Sequence, residues 1–416
     1  MLKLKDIDNK LKDMENKFFK FIKKHCLEIL FFIVTVISLK ARTNFLNYES
    51  QDFRAFLSIW FDLFKNNGGI LALKYEIGDY NIPYLSILSI LSYIPINPLL
   101  LIKIVSMIFD YIAAIVSMMI IYKLLENNKN KHLYALLVYS IIVILPSIIL
   151  NSSAWAQCDS IYTAFILISI LFILKEKYFK AFIFLGIAFS FKLQAIFILP
   201  VYILIYLSNR KFPIYYFLII PIVNFIMCLP AIIVGRTVAS CFNIYINQTK
   251  TYAGFSSMNF PNLYALIINN IEESNLIGNP DIAFFNYGTI LTFGILAITA
   301  IIILYREIKI DNKMFIELSL WSVVLCTFLL PSMHDRYLYM ADIISILYIV
   351  VNRKRIYIPI AVNFISLYAY IEYLYATRNL PIEFVATMNA IILIILSRDI
   401  FFKILNNKKE IVKEEE

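Results

Sequence analysis

The chain has 416 residues, of which 61% are hydrophobic and 16% charged, and its mean hydropathy is +0.75. A soluble globular chain carries about a quarter charged residues, so that class is excluded. The net charge of +9 does not call for nucleic acid, and no nucleic-acid partner is expected, because polytopic membrane proteins collect Lys and Arg in cytoplasmic loops.

In chain order, residues 1–24 read as a charged cytoplasmic helix. It feeds a long apolar stretch with no small-residue cleavage site, so no cleavable signal is expected. Apolar segments follow near 25–41, 99–123, 133–150, 160–174, 181–191, 195–207, 214–234, 285–305, 314–331, 337–351, 357–375 and 383–402. That is about 12 membrane segments, given that a spanning helix needs about 20 apolar residues. The expected fold class is an all-α, polytopic transmembrane helical bundle occupying 25–402, with a cytoplasmic tail at 403–416 and both termini inside. "KNK" at 129–131, "KEK" at 175–177, "NRK" at 209–211, "REIKIDNK" at 306–313 and "NRKRIY" at 352–357 then fall in the cytoplasm, as the positive-inside rule requires. Residues 42–98 and 235–284 form the two large outer loops.

A rival arrangement lets 81–96 span and makes 181–207 one helix. It moves Lys123, Lys129, Lys131, Lys175, Lys177 and Lys180 outward, and the charge bias disfavours it. In the preferred arrangement 181–191 is too short to span at about 1.5 Å per residue, so it dips into protein. The five cysteines show no metal-type spacing, and a Cys158–Cys241 disulfide is not expected.

The first outer loop opens with "ESQDFRAFLSIWFDLFKNNGG" at 49–69. Phe53, Phe56, Leu57, Trp60, Phe61 and Phe64 recur at helical spacing and form one face. Such a helix lies along the membrane interface with its aromatic side down, and residues 81–96 form a second, buried interfacial helix. Glu49 and Asp52 then sit at the outer surface. Asp52 either caps the helix or does chemistry there.

Further polar clusters fall on the same side of the membrane. Asp79 and Tyr80 lie in "GDYNIPYL", Gln157 and Asp159 in "NSSAWAQCDSIY", and Lys192 and Gln194 in "KLQ". Asn262 lies in "SSMNFPNLY", and His334, Asp335, Arg336 and Tyr337 lie in "PSMHDRYLYMAD". Ionisable groups at membrane depth are costly and mark sites by default. Each has a plainer reading: Asp159 caps the helix it opens, Lys192 snorkels, His334 is an interfacial histidine and Asn262 shapes a loop. Asp110 is expected to pair with Lys103 or Lys192. Together the clusters set carboxylates beside cations. Carboxylates suit a general base for a hydroxyl, and cations suit a departing phosphate.

The segments "GDYNIPYL", "NSSAWAQCDSIYTAF", "GIAFSFKLQAIFILP" and "PSMHDRYLY" resemble bacterial integral-membrane glycosyltransferases related to the GPI mannosyltransferase II family, of the GT-C superfamily. The resemblance runs from about 49 to 342; the later helices match in hydropathy alone. It implies a hexosyltransferase of the bacterial cytoplasmic membrane with interfacial helices in its first outer loop. Such an enzyme moves a sugar from a polyprenyl-phosphate donor to a hydroxyl of a glycan, lipid or protein acceptor at the outer face, with inversion. It implies Asp52 as the catalytic acid of the first loop, with Glu49 a competitor for that role and Asp159 a second acidic group. Asp79, Tyr80, Gln157, Lys192, Gln194, Asn262, His334, Asp335, Arg336 and Tyr337 are the expected substrate contacts. No cofactor is certain, and a divalent metal is left open. The commoner family form has Gly and Glu where this chain has Ala156 and Asp335. A lipid-linked sugar flippase and a non-catalytic envelope assembly protein are the alternatives; the flippase reading expects internal repeats, and the sequence has none.

Overall fold

A computed structural model describes residues 2–251, 257–267, 282–377 and 380–406. Much of the large outer loop expected at 235–284, and most of the tail at 403–416, lie outside the described residues. The chain is a helical bundle, and among the described residues its strands are the two-residue pieces Ser257–Met258 and Met333–His334, paired in parallel.

Among the described residues, six helices are by length and composition able to cross a membrane: Pro98–Leu124, Ile214–Ile233, Tyr287–Tyr305, Asn312–Leu329, Tyr357–Tyr375 and Ile382–Asn406. Lys131–Ile144 and Pro146–Ala154 make a seventh if the bent pair is one span. The 49° bend lies at Pro146, which forces the preceding Leu145 into extended backbone. Five further apolar helices are shorter: Ile82–Leu91, Asp159–Leu174, Tyr178–Phe191, Leu193–Asn209 and Tyr339–Val351. Most of the expected segments therefore appear as helices, while the number of full spans read from length is six or seven. The rival's spanning helix at 81–96 is only Ile82–Leu91, about 15 Å long.

The core is built on helices that are apolar all round. In Asn312–Leu329 every side chain from Met314 onward is buried, the mark of a helix enclosed by others. Pro98–Leu124 packs on Asp159–Leu174, which packs on Tyr178–Phe191, which in turn packs on Ile219–Ile233. The last crossing is close: a Cβ at Gly186 would come within 2.8 Å of Val223. Lys192 breaks the next run with extended backbone, φ −154° and ψ 135°, before Leu193–Asn209 resumes.

Two expectations are corrected. Asp110 pairs with Arg42, whose Nη2 lies 3.1 Å away, not with Lys103 or Lys192. Ser152 (2.6 Å) and Tyr339 (3.0 Å) complete its shell. The reason is reach: Lys103 is already spent on the backbone carbonyls of Phe45 (2.7 Å) and Tyr48 (2.5 Å), where it ties down the end of the first apolar helix. The second correction concerns the aromatic face at 53–64. Phe53, Leu57, Trp60, Phe61 and Phe64 are buried in the protein core, with only Phe56 largely exposed. Ile82–Leu91 and the turn Gly69–Lys74 lie beneath that face, so protein covers it.

Candidate functional site

The polar clusters converge on one cavity of about 440 Å³, within the usual range of ligand sites. Asp79, Tyr80, Lys192, Gln194, His334, Arg336 and Tyr337 line it, against apolar walls that include Phe191, Ile196, Phe197 and Met333. Each comes from a break in helical structure. Gly78 adopts φ +73°, and a Cβ there would meet the Trp60 ring at 2.8 Å, so only glycine lets this loop lie flat on Trp60 and deliver Asp79 and Tyr80. The extended residue between two half-helices delivers Lys192. The short strand Met333–His334, held by Ser257–Met258, delivers His334 and Arg336, and Asp335 N–H donates to Met258 O at 3.0 Å.

Behind the cavity wall lies Asp52. Its side chain makes no cap hydrogen bond; Ser50 Oγ takes that part, accepting from Phe53 N–H at 3.2 Å. The capping alternative for Asp52 is thus set aside. Asp52 Oδ2 instead accepts from Gln157 Nε2 (2.7 Å), Trp155 Nε1 (2.9 Å) and Arg336 Nη1 (3.2 Å), and its Oδ1 accepts from the Tyr373 hydroxyl. Burial pushes its carboxyl up, but Arg336 and the Tyr373 and Trp155 hydrogen bonds outweigh burial and hold it below the usual carboxylate range. Gln157 links outward as well: Tyr80 OH donates to Gln157 Oε1 at 2.9 Å.

A second ion-paired layer lies beside the first. Asp159, fully buried, bonds Lys192 Nζ, accepts from Asn151 Nδ2 at 3.0 Å and lies 3.8 Å from Arg336 Nε. Arg336 therefore touches both Asp52 and Asp159 while also facing the cavity. Its guanidinium lies 5.5 Å from the Trp155 ring centroid, a cation–π distance. Asp79 differs from both acids. It is exposed toward the cavity, where partial desolvation raises its carboxyl above the usual range.

The structure sorts the expected residues into three groups. Asp79, Tyr80, Lys192, Gln194, His334, Arg336 and Tyr337 form the wall. Asp52, Gln157, Asp159 and Asp335 hold that wall in place, Asp335 by bonding His334 Nδ1. Glu49 and Asn262 are not brought in. Glu49 is surface-exposed and accepts from Arg54 Nε at 3.0 Å. Asn262 Oδ1 accepts from Ala265 N–H at 3.1 Å and caps the short helix Leu263–Ile267. Among the described residues no three His, Cys, Asp or Glu side chains are grouped as metal ligands, and all five cysteines are free.

Sequence reasoning missed Trp155, Tyr373 and Asn151. Trp155 stands in a quoted motif and could have been picked as a donor. Tyr373, stacked on Trp155 at 4.3 Å between ring centroids, lies in a C-terminal helix where no local pattern marks it. One strained residue stands in the same motif: Ala156 adopts φ +63°, a left-handed conformation that favours glycine. No protein-family model and no curated protein sequence matches this chain.

Proposed function

We propose that this protein is a polytopic membrane glycosyltransferase of GT-C type that moves a sugar from a polyprenyl-phosphate donor to a hydroxyl acceptor at the outer face. The observation that carries this reading is Arg336, shared between the half-buried Asp52, the buried Asp159 and an amphipathic cavity. Lys192, Arg336 and His334 suit the donor phosphate, and the apolar wall suits the first isoprene units. Gln194 lines the cavity with its buried Oε1 unpartnered among the described residues, and Asp79 presents a carboxyl there. Both suit sugar hydroxyls.

Asp52 is the base in this reading, and its shell explains how it becomes one. Three donors crowd Oδ2, while Oδ1 takes only the Tyr373 hydroxyl and keeps an acceptor site. A donor phosphate entering the cavity competes for Arg336. When Arg336 turns to the phosphate, the carboxylate loses its nearest cation and takes the acceptor's proton more readily. The bond from the anomeric carbon to the phosphate oxygen then breaks as the acceptor oxygen attacks from the opposite face. Polyprenyl phosphate leaves beside Arg336 and Lys192, which stabilise its charge. Donor binding draws Arg336 away and makes the Asp52 carboxylate more basic, so catalysis is tied to donor binding.

The test is direct. Purified protein is incubated with short-chain polyprenyl-phosphate sugars and a panel of glycan, lipid and peptide acceptors, and products are identified by mass. A glycosylated acceptor supports the reading; failure across the panel, in folded protein, removes it.

A further inference from the structure

The helix Leu2–Lys24 turns an apolar seam toward nothing within the described chain. Ile7, Leu11, Met14, Phe18 and Phe21 are each more than half exposed. They recur at alternating steps of four and three residues, the 3.5-residue period of a coiled-coil seam. The flanks of the seam are unlike in charge. Lys10, Lys17 and Lys24 stand on one side, and Glu15 and Ile22 on the other. In the sequence, Lys3 and Asp8 occupy the same two flanking positions one heptad earlier.

We propose that this helix pairs with the same helix of a second copy of the chain as a parallel two-stranded coiled coil. In that arrangement a flanking residue of one chain faces the residue five further on in its partner. Lys10 then meets Glu15 of the partner. Lys17 would meet Ile22, and accordingly it is bound to Asp13 of its own helix at 2.7 Å. The parallel direction follows from the flanks, because an antiparallel pair would set the lysine edge of one helix against the lysine edge of the other. After His25 alone, the helix runs into the apolar helix Cys26–Thr43, which holds both copies at the same membrane. Confinement to one bilayer raises their effective concentration, which offsets the short length of about three heptads. A helix lying on the membrane surface is the competing arrangement. It carries lysines along both edges of its apolar stripe, whereas here one edge carries Glu15.

The inference does not rest on the transferase reading, and its test uses no activity. In the full-length protein with Cys26→Ser, the remaining native cysteines are buried. Single cysteines are added at Met14, in the seam, or at Asn16, on the opposite face. Native membranes are then treated with copper(II)–phenanthroline, which oxidises two neighbouring thiols to a disulfide. The seam cysteine is expected to give a band at twice the 48.5 kDa chain mass, and the Asn16 cysteine none. Lys10→Glu should cut the yield at position 14, and adding Glu15→Lys in the same chain should restore it. Equal yields at 14 and 16, or a double variant no better than Lys10→Glu alone, would overturn the proposal.

Discussion

Replacing Asp52 with Asn changes little in shape and much in charge. The Asn oxygen can take the place of Oδ2 and keep the bonds from Trp155, Gln157 and Arg336. Its amide then faces the Tyr373 hydroxyl, which now donates to Oδ1 but can turn to accept. The helix start survives, because Ser50 rather than Asp52 caps it. What is lost is the charge opposite Arg336, and Arg336 still has Asp159 at 3.8 Å. The stability cost is therefore that of one charge-assisted hydrogen bond, about 1.5–3 kcal/mol. The catalytic cost is separate. A positioned base contributes about 10²–10⁴-fold, or about 3–5 kcal/mol of barrier. Initial rates of sugar transfer, measured beside the melting temperature of the same preparation, separate the two. The expectation is a modest fall in melting temperature with a rate lower by about 10²–10⁴. Near-normal transfer by Asp52→Asn would refute the reasoning and leave Asp79 as the carboxylate facing the cavity.

Arg336→Gln and Lys192→Met should each weaken donor use by about 1.5–3 kcal/mol, read as a raised KM for the donor; unchanged donor kinetics in folded variants would return both to structural roles. Ala156→Gly should raise the melting temperature, because it relieves the φ +63° backbone at a gain of about 1 kcal/mol; a fall would mean the side chain's packing outweighs the strain.

How much was legible in the sequence depended on distance along the chain. The apolar runs gave most helices within a few residues, because spanning length and composition are local properties. The break at Lys192 was legible for the same reason, as two polar residues, Lys192 and Gln194, interrupting an apolar run. The aromatic face at 53–64 was read correctly as a face but assigned to lipid, since periodicity cannot say whether bilayer or protein covers it. The Arg42–Asp110 pair joins residues 68 apart, and the Tyr373–Asp52 bond residues 321 apart; no spacing rule reaches that far. Ala156 is a middle case. The sequence showed only alanine where the commoner form of the resembling family has glycine, and the dihedral angle shows that alanine carries a left-handed strain there.

The most direct test of the central claim is a count of both products. Purified protein in lipid nanodiscs is given a polyprenyl-phosphate sugar and an acceptor identified from the panel, and released polyprenyl phosphate is measured against glycosylated acceptor. The account predicts release and transfer in equal amounts, both falling together by about 10²–10⁴ in Asp52→Asn. A flippase would leave the donor intact, and release without transfer would mark a hydrolase; either result would contradict the account.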